Sequence, residues 1–142
     1  MQNSESTGPA WPKPAVAWFG VAVLVVAFVF SIADRIIIAL LVDPIKADLG
    51  LSDTDIGIMM GLAFAIFYAL MGLPIGRLAD RYSRRSIIAA GIFLWSLMTA
   101  TCGLARNFWE LFLARVGVGV GEATLSPAAY SMIADSFPRE KL

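Results

Sequence analysis

Four charged side chains lie inside segments of this 142-residue sequence that are otherwise apolar. Asp34 and Arg35 are neighbours in the first such segment, and Arg115 and Glu122 lie two helical turns apart in the last. A charge at the centre of a bilayer costs about 2.5–3.5 kcal/mol even on the most lenient insertion scale. The pattern therefore predicts a shared polar interior that binds an ion or a substrate. The simpler alternative is a set of ion pairs that only fixes helix packing.

The composition indicates an integral membrane protein. Hydrophobic residues make up 58% of the sequence, charged residues 15%, and the mean hydropathy is +0.75. The formal net charge is zero, so the composition gives no reason to expect nucleic-acid binding. Because the sequence has no histidine, proton chemistry near neutral pH has to use a carboxylate. No metal-ligand cluster or nucleophile–base pair occurs at a usable spacing, so we expect neither an enzyme nor a bound cofactor or metal.

Apolar runs of about 20 residues are long enough to cross a bilayer as helices. We predict four such helices, over about 15–42, 55–78, 86–104 and 108–134. Residues 1–14 are polar and rich in proline, and we expect them to form a disordered tail. Asp43 before Pro44 is expected to end the first helix, since a residue before proline is disfavoured in the α conformation. Pro127 predicts a kink in the fourth helix.

Local signals mark where some of these helices begin and end. Ser52 with Asp55, and Asn107 with Glu110, have the spacing of N-terminal caps. Gly50 is expected to end a short interfacial helix. Stripes of small residues, which allow membrane helices to approach closely, occur in the second and fourth helices: Gly57, Gly61, Ala65 and Ala69, and Gly117, Gly119 and Gly121.

Counting along the helices places three of the interior charges at one depth. Asp34 and Arg35 lie about six residues outward from the middle of the first helix, and Arg115 lies about six residues outward in the fourth, roughly 9 Å in each case. Glu122 lies deeper, near the midplane. We therefore expect the first and fourth helices to meet at one cluster. Both carboxylates are candidates for proton coupling, and Glu122 is preferred because nearby bases keep Asp34 charged.

The segment from Gly76 to Arg85 reads GRLADRYSRR. It resembles the signature G-x-x-x-D-R-x-G-R-R between helices two and three of the major facilitator superfamily, with Ser83 in place of the usual glycine. The resemblance implies that the following residues gate the cytoplasmic side: Gly76, Asp80, Arg81, Arg84 and Arg85. We expect Asp80 to pair with Arg84, Arg85 or a helix N-terminus.

Other segments resemble the spinster-type branch of this superfamily. They are Ala33-Asp34-Arg35, Ile56-Gly57, Gly119 to Ala123 followed by Pro127, and Ile133 to Pro138. Members have twelve helices in two six-helix halves, so residues 15–142 are expected to be the first four helices of a longer transporter that works by alternating access. The expected partners are the lipid bilayer, the remaining helices of the same transporter, protons and an amphiphilic small-molecule substrate.

The resemblance implies roles for the interior charges and a class of substrate. Arg35, Arg115 and Glu122 would bind the substrate, and Glu122 and Asp34 would couple it to protons. Spinster-like members are associated with lysophospholipids and sphingosine phosphates, and arginine suits a phosphate head group. Two alternatives remain: a major facilitator carrier of small organic anions or drugs, and a self-contained four-helix membrane subunit or assembly factor.

The basic residues of the loops predict the orientation. One side holds Lys13, Arg77, Arg81, Arg84, Arg85, Arg139 and Lys141, and the other holds Lys46 and Arg106. Because cytoplasmic loops carry an excess of basic residues, we expect a cytoplasmic N-terminus in a plasma membrane, specifically a bacterial inner membrane.

Overall fold

The computed structural model describes residues 12–137, and within that range every regular element is a helix. The helices are α1 Pro14–Leu40, α2 Val42–Leu49, α3 Asp53–Arg81, α4 Arg84–Cys102, α5 Phe108–Ala123 and α6 Leu125–Ser136. Three of them, α1, α3 and α4, are long and apolar enough to cross a membrane. The predicted all-helical membrane fold is therefore confirmed for the described residues. The tail predicted over residues 1–14 lies mostly outside them, and Pro14 already belongs to α1.

The fourth predicted span, about 108–134, consists of two consecutive helices rather than one. α5 ends at Ala123 and α6 begins two residues later, with Thr124 between them. The reason is Pro127, which has no N–H to donate to the carbonyl oxygen of Ala123 and whose ring disfavours a continuous helix. The kink expected from Pro127 therefore falls about one turn before it.

The first predicted span, about 15–42, ends earlier than expected. α1 stops at Leu40, and Asp43 and Pro44 lie in the first turn of α2 instead of terminating α1. Proline is tolerated in the first turn of a helix, where its missing N–H would have no helical partner. Gly50 ends α2 as expected, in the left-handed conformation with φ 64°.

Both predicted helix caps are present. The Oγ of Ser52 accepts a hydrogen bond from the backbone N–H of Asp55 at 3.2 Å, and Oδ2 of Asp55 accepts one from the backbone N–H of Ser52 at 2.9 Å. The Oδ1 of Asn107 accepts a hydrogen bond from the backbone N–H of Glu110 at 3.0 Å. These contacts fix where α3 and α5 begin.

α5 packs most extensively against α4, and glycines make the close approach possible. A Cβ added to Gly121 would lie 2.7 Å from the backbone nitrogen of Trp95 and 2.9 Å from the carbonyl oxygen of Gly91. A Cβ added to Gly117 would clash with the side chain of Met98. The close packing expected from the glycines of the fourth span is therefore observed.

The small-residue stripe of α3 behaves differently. It consists of Gly57, Gly61, Ala65 and Ala69, all exposed. Nothing lies within 4 Å of a Cβ added to either glycine. Among residues 12–137 this stripe packs against no other helix, because α3 turns a different face, with Met59 and Ala63 buried, toward the bundle. Its close packing against another helix therefore stays a prediction.

Two apolar clusters occupy the two ends of the bundle. One contains Ile56, Met59 and Leu111, and the other contains Leu24, Ile75, Ile87, Ile88, Ala123 and Ala128 among others. Along α5 the charged residues Arg115 and Glu122 fall between the parts that join these clusters. The apolar packing thus holds α5 in place on both sides of its charges.

Candidate functional site

Arg35 of α1 and Glu122 of α5 form an ion pair between the two helices. The Nη2 of Arg35 donates to Oε2 of Glu122 at 2.7 Å, and its Nε donates to the same oxygen at 3.1 Å. Hydrogen bonds between two charged groups are shorter and stronger than those between neutral groups. The pair therefore ties the first predicted span to the fourth.

Arg115 and Asp34 form a second ion pair between the same helices. The Nη1 of Arg115 donates to Oδ2 of Asp34 at 3.3 Å. The four residues expected to form one interior cluster are thus brought together as two crossed pairs, since each helix supplies one acid and one base. The expected meeting of the first and fourth spans at these charges is observed.

The two pairs differ in their exposure. The side chain of Arg35 is 48% exposed while that of Glu122 is 1% exposed. The side chains of Arg115 and Asp34 are 4% and 11% exposed. Asp34 and Arg35 can join different pairs because successive residues of an α-helix are rotated by about 100°. Among residues 12–137 the first pair is therefore open at its base, whereas the second pair is enclosed on both sides.

Two aromatic rings of α3 lie against the arginines. The guanidinium carbon of Arg35 lies 4.8 Å from the ring centroid of Phe64 and 5.8 Å from that of Tyr68. The guanidinium carbon of Arg115 lies 5.5 Å from the same Phe64 centroid. These distances fall within the range of about 6 Å in which the face of an aromatic ring attracts a cation. The hydroxyl of Tyr68 is 3.2 Å from the Oγ of Ser126 in α6.

The sequence did not indicate four residues of this site, which are Ser31, Phe64, Tyr68 and Ser126. Ser31 is buried beside the carboxylate of the first pair. It lies one turn before Arg35, and this spacing could have placed it on the same helix face. The aromatic residues follow the π-helical stretch Ile58–Ala63 of α3, which shifts the helical register, so α-helical periodicity could not assign their face.

Two polar atoms of the site lack a hydrogen-bond partner among the described residues. They are Nε of Arg115 and Oε1 of Glu122, both buried. A buried polar group without a partner costs about 1–3 kcal/mol. A water molecule or a polar group of a ligand that forms a hydrogen bond with either atom would therefore stabilise the site. Within residues 12–137 no group of His, Cys, Asp or Glu side chains could hold a metal ion.

The predicted gating residues lie at the adjoining ends of two helices. Gly76, Asp80 and Arg81 belong to α3, and Arg84 and Arg85 belong to α4. Only two residues connect these helices, because α3 continues three residues beyond its predicted end near residue 78. Ser83, which replaces the usual glycine, has φ −58°, a conformation that requires no glycine.

Asp80 does not form the expected ion pair within residues 12–137. It stays on the exposed side of the last turn of α3, whereas Arg84 pairs with Asp135 at the end of α6. The physical reason is that Ile87 and Ile88 of α4 share an apolar cluster with Met132 and Ile133 of α6, which brings Arg84 to that acid. The pair joins the third predicted span to the fourth, and no ion pair of Asp135 was predicted.

Known proteins resemble both the sequence and the fold. The profile of the Major Facilitator Superfamily matches residues 23–142. An MFS-type efflux pump of Mycolicibacterium smegmatis is 41% identical over 124 residues, which cover 87% of this chain and 29% of the relative. Protein spinster homolog 1 of Xenopus tropicalis is 34% identical over 122 residues, which cover 82% of this chain and 23% of the relative. The chain thus spans less than a third of the length of these two relatives.

A solved structure is similar to this chain in both fold and sequence. It is the crystal structure of a bacterial homolog of the human lysosomal transporter spinster, in an inward-facing and unoccupied conformation. The TM-score is 0.87 at 39% sequence identity, over 92% of this chain and 27% of that chain. The resemblance to the spinster-type branch is therefore supported by fold as well as sequence. Since the superfamily profile covers most of its length, this chain belongs to the major facilitator superfamily.

Proposed function

We propose that this chain forms the N-terminal part of a secondary active transporter that works by alternating access. The proposed substrate is an amphiphilic, anionic, lipid-like molecule such as a lysophospholipid or sphingolipid, and its transport is coupled to protons. The observation that carries this proposal is the ion pair between Arg35 and Glu122, in which the acid is buried and the base is half-exposed. Ionisable residues inside membrane segments usually mark substrate or proton pathways.

Proton coupling follows from competition for Arg35. The anionic head group of a substrate would compete with the carboxylate of Glu122 for the same guanidinium. When Glu122 accepts a proton it loses its charge, and Arg35 becomes free to bind the anion. When the proton leaves, the ion pair re-forms and the anion is displaced, so one proton and one anionic group bind together and leave together.

The second pair has a supporting role in this scheme. Arg115 adds a second positive charge over the same Phe64 ring, and Asp34 remains the second candidate for proton coupling. Both side chains are enclosed, however, and removal of either charge leaves the other without a partner. We therefore assign the coupled binding of proton and substrate to Arg35 and Glu122, and the positioning of α1 against α5 to Arg115 and Asp34.

Gating and orientation complete the proposal. The residues at the junction of α3 and α4, with the ion pair between Arg84 and Asp135, would stabilise one of the alternating conformations at the cytoplasmic face. The excess of basic residues at that face supports a cytoplasmic N-terminus. The similarity to bacterial relatives supports a location in a bacterial inner membrane.

The test is transport by the intact protein in proteoliposomes. Fluorescent lysophosphatidylglycerol is supplied with and without a pH gradient, and the wild-type protein should accumulate it only with the gradient. Glu122→Gln mimics the protonated acid, so it should bind the lipid but lose dependence on the gradient. Glu110→Gln, at an exposed acid of the same helix, is the matched control and should behave as wild type. Gradient-driven accumulation by Glu122→Gln at the wild-type level would refute the coupling role.

A second candidate substrate class is small organic anions or drugs. Relatives of this chain include the efflux pump described above and a probable L-galactonate transporter of Escherichia coli, which is 37% identical over 111 residues covering 78% of this chain and 24% of the relative. An arginine released from a carboxylate would bind a sugar-acid carboxylate as readily as a lipid phosphate. The same proteoliposomes supplied with L-galactonate distinguish the two, since only one of the substrates should respond to the pH gradient.

A further inference from the structure

The side chain of Phe64 lies against the arginines of both ion pairs. Two guanidinium groups from different helices lie over its one ring, at 4.8 Å for Arg35 and 5.5 Å for Arg115. Each guanidinium is also paired with a different carboxylate. Phe64 is therefore the described side chain that both ion pairs have in common.

The backbone of α3 is shaped to place the ring there. The π-helical stretch Ile58–Ala63 ends immediately before Phe64. A π-helical turn contains more residues than an α-helical turn, so the residues after it are rotated to another face of the helix. Such stretches are rare and occur frequently at functional sites. The distortion of α3 thus determines which side chain meets the arginines.

Contacts with α5 and with a neighbouring aromatic residue of α3 hold the ring in that place. α5 approaches α3 so closely at Gly119 that an added Cβ would lie 3.3 Å from the carbonyl oxygen of Phe64 and 3.4 Å from its ring. On the other side the ring stacks on Tyr68, with centroids 5.7 Å apart. The hydroxyl of Tyr68 is in turn within hydrogen-bonding distance of Ser126 in α6.

A buried hydrogen-bond donor of Arg115 lies near this ring. The Nε–H of Arg115 has no oxygen or nitrogen acceptor among the described residues. The electron-rich face of an aromatic ring can accept a weak hydrogen bond from an N–H group. The guanidinium carbon of Arg115 lies 5.5 Å from the ring centroid of Phe64, close enough for the ring to attract a guanidinium that Asp34 binds through Nη1 alone.

We propose that Phe64 is a positioning residue that holds both arginines toward the cavity, and that it keeps Arg35 aimed there when Glu122 releases it. The inference deepens the proposed function and rests on it for its role in transport. A neutral Glu122 no longer attracts Arg35, but the attraction between guanidinium and ring does not depend on that carboxylate. Arg35 then remains in place for an anionic head group instead of turning away with its long, flexible side chain.

The first experiment needs no substrate. Intact transporter is treated with phenylglyoxal, and modification of Arg35 and Arg115 is followed by mass spectrometry, with the exposed Arg106 as the internal reference. In Phe64→Leu, Arg35 should react several times faster than in wild type, and Arg115 should become measurably reactive. Phe64→Trp retains an aromatic face and should restore the wild-type rates. Phe93→Leu, the same change at a ring that is 71% exposed, should have no effect.

The second experiment measures binding of fluorescent lysophosphatidylglycerol to the same variants in nanodiscs. Phe64→Leu should weaken binding about tenfold, which corresponds to about 1.4 kcal/mol, and the loss should be larger when combined with Glu122→Gln. If Phe64→Leu does not fold, Phe64→Met removes the ring and retains flexible bulk, and it takes the place of that variant.

The outcomes separate this inference from the proposed function. Failure of the wild-type protein to bind the lipid would overturn the proposed substrate, whereas the modification rates would still decide the role of Phe64. Unchanged rates at both arginines in Phe64→Leu would overturn the role of Phe64. Failure of Phe64→Trp to restore them would also overturn it, because the ring would then act only by filling space.

Discussion

The two ion pairs between α1 and α5 each join a guanidinium to a carboxylate, and they use adjacent residues of α1. They differ in what surrounds them. In the pair of Arg35 with Glu122 the base is 48% exposed and the shorter contact is 2.7 Å. In the pair of Arg115 with Asp34 neither side chain exceeds 11% exposure and the contact is 3.3 Å. A charge that can reach water can be released by its partner, whereas an enclosed charge cannot. Exposure of one partner, more than the presence of an ion pair, therefore identifies the pair that can open and bind a substrate.

The largest expected effect comes from making the same kind of change in both pairs. Asp34→Asn leaves the enclosed guanidinium of Arg115 without a counter-charge, and loss of one partner of a buried pair costs about 3–5 kcal/mol. Glu122→Gln leaves the half-exposed Arg35, which water can solvate, and the buried amide can still accept its hydrogen bond, so we expect a smaller loss than in Asp34→Asn. The measurement is the free energy of unfolding of the intact protein in mixed micelles.

A double variant provides the control for that comparison. Arg115→Met with Asp34→Asn removes both charges of the enclosed pair, and it should recover most of the stability lost in Asp34→Asn alone. Equal losses in Asp34→Asn and Glu122→Gln would show that exposure does not separate the two pairs, and the division of roles between them would have to be abandoned.

The membrane fold and the charged cluster could be predicted because both follow from simple periodicity. Apolar runs give the spans, and a rise of about 1.5 Å per residue gives the depth of each charge. Which acid pairs with which base could not be predicted, because a rotation of α1 about its axis by one residue would change the pairing. The role of Phe64 was also hidden, since the π-helical stretch before it breaks the α-helical register. Sequence periodicity predicts depth well and rotation poorly.

The next largest effect tests how α5 is held in place for both pairs. A Cβ at Gly121 would lie 2.7 Å from backbone and side-chain atoms of Trp95, so Gly121→Ala must push α5 away from α4. Overpacking of this kind costs about 1–3 kcal/mol. Gly61→Ala is the matched control, since among residues 12–137 nothing lies within 4 Å of an added Cβ there. It should be neutral or stabilise α3 by up to about 1 kcal/mol.

The same pair of variants sharpens the comparison of ion pairs. A displaced α5 would weaken both pairs together, so Gly121→Ala should also lower binding of lysophosphatidylglycerol. Unfolding measurements in which Gly121→Ala and Gly61→Ala have equal effects would contradict the close approach of α4 and α5. The two glycine stripes look alike in the sequence, and only the direction in which each helix face points distinguishes them.

A third ion pair, exposed on both partners, lies at the end of the bundle. The side chains of Arg84 and Asp135 are 35% and 56% exposed. Asp135→Asn should therefore change stability by less than about 1 kcal/mol. If the pair stabilises one alternating conformation, the balance between conformations should shift by up to about fivefold, which is the same energy. Accessibility labelling of cysteines placed on either side of the cavity measures this shift, with Asp80→Asn for comparison.

Identical labelling in wild type and Asp135→Asn would remove this pair from the gating mechanism. A shift in Asp80→Asn alone would instead return that role to the residue expected from the sequence motif.

The smallest effect is expected at the partly exposed cap of α3, where a change of pH provides the test. The hydroxyl and the backbone N–H of Ser52 donate hydrogen bonds to the Asp55 carboxylate, and these bonds hold the pKa of Asp55 below its ordinary value of 3.8. A carboxyl with a lowered pKa in the folded state stabilises the fold above the unfolded-state value, and it loses that contribution as pH falls through the folded-state value. The cap should therefore weaken only below about pH 4. Asp55→Asn should be less stable than wild type at pH 6, and the difference should shrink on acidification to pH 2. Unfolding of Glu122→Gln, measured over the same pH range, gives the corresponding comparison for a buried acid. A constant difference between wild type and Asp55→Asn at all pH values would mean that the carboxylate charge contributes nothing to the cap.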